Sequence, residues 1–127
     1  MKVLIVDDEP LVRTVLGYAL SRDGWEVFAH DQYADCPALI REHGIDVLVS
    51  DYGMAQITGL DLIENVRNAG IEIPALILSA NLYAVDGGRA KRLGVCGMVA
   101  KPPNLKQLNR TLIEAVAIGC VASERPG

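Results

Sequence analysis

Five short apolar runs, each delivered to a polar residue or a turn and most followed by apolar residues at helical spacing, constrain this chain more than any other feature. They are Lys2 to Val6, Trp25 to Ala29, Val47 to Val49, Ala75 to Leu78 and Cys96 to Ala100. Short continuous runs rich in β-branched residues are the pattern of strands buried on both faces of a parallel sheet. The second run is less apolar, as suits an edge strand.

The segments between the runs read as helices. Asp7-Asp8-Glu9-Pro10 ends the first strand and opens a helix with proline in its first turn. Leu11, Val12, Val15, Leu16, Ala19 and Leu20 form its stripe, and Gly24 closes it. Asp35-Cys36-Pro37 starts a short helix that runs through Arg41 and stops at Gly44. Gly59, Leu62, Ile63 and Val66 share a third helical face ending at Gly70, and Pro74 begins the fourth strand. The spacing predicts a fourth helix over residues 82–93, with Gly87-Gly88 in its middle at a cost of about 1 kcal/mol per glycine relative to alanine. This helix is expected to be mobile. Asn104 caps a fifth helix with Leu105, Leu108, Leu112 and Val116 inward.

Alternating strands and helices with short connections imply an α/β architecture, a doubly wound five-stranded parallel sheet with right-handed crossovers and helices on both faces. The 127 residues suit one domain, expected over residues 1–120. Residues 121–127 lose periodicity and are read as a C-terminal tail.

In open α/β sheets, loops converge and ligands bind at the carboxyl ends of the strands. Those positions hold Asp7 and Asp8 after the first strand, Asp51 after the third, Ser79 after the fourth and Lys101 after the fifth. Three carboxylates brought together repel one another and need a compensating cation or raised pKa values. A few oxygen ligands with room for water suit Mg²⁺. A cation there bridges a phosphoryl oxygen, leaving Lys101 as a point charge and Ser79 as a hydroxyl donor for the others. The set describes a site for a phosphoryl group on a carboxylate. Taken singly, each residue has a plainer reading: Asp51, Asp8 and Ser79 as helix caps, Lys101 as a solvated strand-end lysine.

Charge and composition exclude other classes. Twelve basic against sixteen acidic residues give a net charge of −4, and no basic face carries interleaved aromatics, so direct nucleic-acid binding is not expected. No apolar run approaches the ~20 residues of a membrane span, and the start runs at once into Asp7-Asp8, unlike a secretory signal. A cytoplasmic protein is expected. Cys36, Cys96 and Cys120 lack the spacing of metal or redox motifs and are read as reduced packing thiols; His30 and His43 lack ligand spacing.

These residues also carry a family resemblance. The acidic pair after Val3-Leu4-Ile5-Val6, the loop from Asp51 through Met54 to Gly59, Pro74 to Ala80, and Gly94 and Gly97 running into Lys101-Pro102 together resemble the receiver domain of bacterial two-component response regulators, chemotaxis regulators included. The resemblance covers essentially the whole chain and implies a flavodoxin-like sheet of strand order 2-1-3-4-5. It implies that Asp51 is the phosphoacceptor and that Asp8, Asp51 and the backbone carbonyl of Gly53 bind Mg²⁺, with Asp7 helping mainly through water. Ser79 and Lys101 would contact the phosphoryl group. A sensor histidine kinase or phosphotransfer protein would supply that group, and a surface around the fourth helix and fifth strand would signal to an effector protein or to an output domain outside this chain.

Two positions depart from the family pattern. Ala55 stands where proline usually follows the loop methionine, which makes the loop less rigid. Met98 stands where Tyr or Phe usually precedes the lysine by three residues, so the expected switch pair is Ser79 with a methionine. Two rivals fit less well. An aspartyl-phosphate phosphohydrolase on a related fold would carry Asp-x-Asp on its first strand, and a phosphorylation-independent binding module would lack an acid, hydroxyl or lysine that this chain retains.

Overall fold

The structure, a computed structural model, describes residues 1–31 and 34–119. Strands and helices alternate as β1 (Lys2–Val6), α1 (Pro10–Arg22), β2 (Glu26–His30), α2 (Cys36–His43), β3 (Val47–Asp51), α3 (Gly59–Asn68), β4 (Ala75–Ser79), a 3-10 turn (Leu82–Ala84), α4 (Gly87–Arg92), β5 (Val95–Ala100) and α5 (Leu105–Ile118). The five strands form one parallel sheet in the order β2-β1-β3-β4-β5, as the resemblance implied.

Side-chain alternation along the strands builds two cores. Leu4, Val6, Leu48 and Ile77 pack with α2, α3 and α4 on one face. Val3, Ile5, Val49 and Leu78 pack with α1 and α5 on the other. β3 and β4 are buried at every position, which their unbroken apolar sequences require, whereas β2 and β5 flank the sheet and are partly exposed. α3 starts at a capping box in which Thr58 and Asp61 satisfy each other's backbone N–H groups.

Four expectations need correction. The predicted fourth helix is two elements: the 3-10 turn, capped by Asn81, and the short α4. Asp86 caps α4, its Oδ1 accepting the Arg89 N–H at 3.0 Å, so Gly87 and Gly88 fall in the first turn. N–H groups of a first turn have no intrahelical partner in any case, so these glycines do not weaken the helix at its centre. The apolar stripe of α1 is only half used by the core: Leu16 and Leu20 are buried, but Leu11 is 74% and Val15 48% exposed. Leu105 likewise faces outward rather than inward. Finally, Cys36 is a buried, reduced thiol as expected, but Cys96 is disulfide-bonded. Cys120 and the expected tail lie outside the described residues.

Candidate functional site

Parallel strands all present their carboxyl ends at one edge, so the candidates predicted at those ends become neighbours. Asp51 is the last residue of β3 and Ser79 the last of β4, while Asp7 and Lys101 directly follow β1 and β5. Asp7 and Asp51 are buried at the ends of two adjacent strands, β1 and β3. The Lys101 ammonium lies between them, 3.0 Å from Asp7 Oδ2 and 2.9 Å from Asp51 Oδ1. Burial alone would lower the pKa of this ammonium, but the hydrogen bonds it donates to Asp51 and Asp7 outweigh it and hold the group above the ordinary lysine value. The compensating cation that the sequence called for is therefore supplied in part by the protein itself. The Lys101–Pro102 peptide that follows is cis.

Asp8 and Glu9 form the exposed rim. Asp8 Oδ2 accepts the backbone N–H of Ala55 at 3.1 Å, which links the acidic pair to the loop after Asp51. Glu9 was not singled out from the sequence, where it reads as part of a helix start. It is the N-terminal cap residue of α1 but makes no side-chain cap bond. Its carboxylate instead lies 3.9 Å from Lys101 Nζ. Asp7, Asp8, Glu9 and Asp51 can each offer one carboxylate oxygen within 4.8 Å of the others. Its place directly after Asp7-Asp8 was the available signal.

Two buried carboxylates against one ammonium leave the centre of the site net negative, and its donors are all hard oxygens. A divalent cation such as Mg²⁺ fits that donor set. Gly53, two residues past Asp51, pairs with Thr58 in an isolated antiparallel bridge that shapes the loop.

Ser79 and Met98 are not drawn into this cluster. The Ser79 hydroxyl donates to the carbonyl of Asn81 at 2.9 Å and accepts the Asn81 N–H at 3.1 Å, so it is engaged in the turn after β4. Met98 lies on the edge strand β5 and is 39% exposed.

The family model of the response regulator receiver domain matches residues 3–113. This chain belongs to that family. It is 34% identical over 109 residues to the Regulator of RpoS of Escherichia coli, covering 86% of this chain and 32% of that protein. It is 29% identical over 112 residues to the sensor histidine kinase RcsC of Salmonella typhi, covering 88% of this chain and 12% of that protein. The chain thus spans a third or less of these curated relatives. Among solved structures, the chemotaxis protein CheY4 of Vibrio cholerae is similar with a TM-score of 0.78 and 28% identity, over 89% of this chain and 96% of that one. A receiver domain protein from Clostridium thermocellum shares the fold with a TM-score of 0.83 at 22% identity, over 92% and 94% of the two chains. Receiver domains are regulatory phosphoacceptor modules of two-component signalling, and in this chain Asp7, Asp8, Glu9 and Asp51 form an acidic cluster that could hold a metal ion. Among the described residues no helix is long and apolar enough to cross a membrane.

Proposed function

We propose that this receiver takes a phosphoryl group from a phosphohistidine of a sensor histidine kinase or phosphotransfer protein onto Asp51. The observation that carries the reading is the Lys101 ammonium clasped between Asp51 and Asp7 at a buried strand end. A carboxylate oxygen of Asp51 attacks phosphorus; the P–O bond forms as the P–N bond breaks, and the electron pair leaves with the imidazole nitrogen. Lys101 then turns its charge from the carboxylate to the phosphoryl oxygens, and Ser79 leaves Asn81 to donate its hydroxyl hydrogen to another. Asp8, Asp51 and the Gly53 carbonyl, with Asp7 helping through water, would hold Mg²⁺, which would supply positive charge against the phosphoryl oxygens. The domain assists this transfer and the later hydrolysis, in which water takes the phosphoryl group from Asp51 as inorganic phosphate, without acting on a separate substrate.

The surface beside the site supports a protein donor. A groove of about 500 Å³ runs along α1, walled by Leu11, Val12, Val15, Pro103 and Leu105, and Glu9 and Lys101 stand at the same groove. A protein that brings a phosphohistidine to Asp51 would lie over it, which would account for apolar residues that the core leaves uncovered. Phosphorylation would then change the surface around α4 and β5 for an effector protein or an output domain.

Intact mass after incubation with Mg²⁺ and acetyl phosphate tests the reading. One phosphoryl group is expected on the wild type, and none on Asp51→Asn or in excess EDTA. A wild-type chain that stays unlabelled, or an Asp51→Asn variant labelled to the same level, overturns it.

A further inference from the structure

With Met98 half-exposed on an edge strand, β5 offers no buried aromatic that reports on the site. Two side-chain ties run instead from the phosphoacceptor side straight to residues 81–92.

The first is Tyr52, the chain neighbour of Asp51. Its backbone is fixed twice, the N–H donating to the Leu78 carbonyl at 2.8 Å and the carbonyl accepting the Gly59 N–H at 2.8 Å. Its ring is partly buried and packs against the core on the α2, α3 and α4 face of the sheet. From that base the hydroxyl donates to the Ala84 carbonyl at 3.2 Å, at the end of the 3-10 turn.

The second is Arg89 of α4. Its Nη2 lies 2.7 Å from Asp61 Oδ1 and 2.7 Å from Glu64 Oε2, both on α3. Asp61 is itself anchored, its Oδ2 accepting the Thr58 N–H and its N–H donating to Thr58 Oγ1. Hydrogen bonds from Arg89 and Thr58 hold the Asp61 carboxyl below the usual range. Thr58 pairs in turn with Gly53, two residues from Asp51. A contiguous set of bonds therefore joins the phosphoacceptor loop to α4 without passing through β5.

Ser79 holds the start of the same segment. The Asn81 carbonyl accepts both the Ser79 hydroxyl, at 2.9 Å, and the Ala84 N–H, at 3.1 Å. A serine hydroxyl has one hydrogen, so Ser79 cannot donate to Asn81 and to a phosphoryl group on Asp51 at once. When it turns, Asn81 loses a donor and the turn that ends at Ala84 loosens.

We propose that Tyr52 and Arg89 hold residues 81–92 in the resting position, and that phosphorylation of Asp51 is coupled to release of both ties, in place of an aromatic switch on β5. The inference rests on the reading of Asp51 as phosphoacceptor. A tie made only in the resting state opposes the phosphorylated one, and by linkage its removal must tighten binding of a phosphoryl analogue.

Titration with beryllofluoride and Mg²⁺ tests this on the wild type, Tyr52→Phe, Arg89→Gln and the double variant. Tyr52→Phe removes one hydroxyl and keeps the packed ring. Each single variant is expected to bind about 3- to 10-fold more tightly, the range one hydrogen bond or ion pair spans, and the double variant more tightly than either. Hydrogen exchange over residues 81–92 should rise in the unliganded variants toward that of the liganded wild type, with β1, β3 and β4 still protected as evidence of folding. If the wild type does not bind beryllofluoride, the phosphoacceptor reading fails. If the wild type binds and the variants bind equally or more weakly, that reading stands and the two ties are overturned.

Discussion

Lys101 is a cation captured by two carboxylates, and its removal separates what charge contributes here from what packing contributes. Lys101→Met keeps much of the stem but leaves Asp7 and Asp51 buried without an ammonium, and breaking a buried pair costs about 3–5 kcal/mol. The midpoint of urea unfolding should fall accordingly; a loss near that of an ordinary surface substitution would show that the ion pairs contribute little. Cys36 gives a pH-dependent case. Burial first, and then the charge of Asp35, pushes its thiol up to about 12. The folded value is raised above the unfolded one of about 8.5, so this contribution to stability is present below that pH. As pH rises from there the unfolded chain gives up its proton while the native chain keeps it, and stability falls by at most about 1.4 kcal/mol per pH unit. Cys36→Ala should flatten the alkaline slope of stability against pH, whatever it does to the baseline. An unchanged slope places the effect elsewhere. At this scale the sequence was informative about position and silent about partners: the ends of four of the five apolar runs marked Asp7, Asp51, Ser79 and Lys101, but nothing local told that Ser79 bonds Asn81 or that Glu9 turns toward Lys101.

Strands proved more legible than helices because a strand buried on both faces has one reading, whereas an amphipathic stripe says only that something apolar covers it. On α1 that covering is the sheet for Leu16 and Leu20, and not for Leu11 and Val15. Periodicity cannot tell a helix's own core from another protein's surface. A charge on the uncovered part distinguishes the two: relative to labelling by acetyl phosphate, transfer from a phosphohistidine donor to Val15→Asp should fall about tenfold or more, as for a central interface residue. Equal ratios for variant and wild type would remove the groove from the donor interface. The fourth helix departs from its spacing for a different reason. Asp86 as a cap outweighed helical spacing, and caps decide where a short helix begins. Gly59, by contrast, was marked in the sequence, and its reason is steric. A Cβ there would meet the Asp51 carbonyl at 2.6 Å and Ile77 Cδ1 at 2.8 Å, so α3 starts where no larger residue fits. Gly59→Ala must displace the backbone of Asp51 itself. A destabilisation of about 1–3 kcal/mol is expected from such overpacking, read from urea unfolding, together with slower labelling of Asp51. Unchanged stability and labelling would mean that the loop yields at no cost.

The site exists only in the folded molecule: the contact of Lys101 with Asp7 joins residues 94 positions apart. Strand order makes it, since β1 and β3 lie side by side and β4 and β5 follow, so one edge of the sheet gathers acids at its centre and the lysine from its flank. Folding therefore concentrates negative charge in one place and neutralises only part of it, while the unfolded chain keeps these carboxylates apart in water. A divalent cation that binds this edge binds the native state and not the unfolded one, and must stabilise the fold by mass action. At a free Mg²⁺ concentration ten times its dissociation constant the gain is about 1.4 kcal/mol, growing with the logarithm of concentration. The rim carboxylate Asp8 is exposed and held by one backbone N–H, so Asp8→Asn removes a ligand charge without opening the core. Urea unfolding of the wild type should shift to higher midpoint with Mg²⁺ and show the logarithmic dependence, whereas the Asp8→Asn midpoint should respond weakly or not at all. A wild-type midpoint indifferent to Mg²⁺, or one that shifts equally in Asp8→Asn, would place any metal away from the acidic edge.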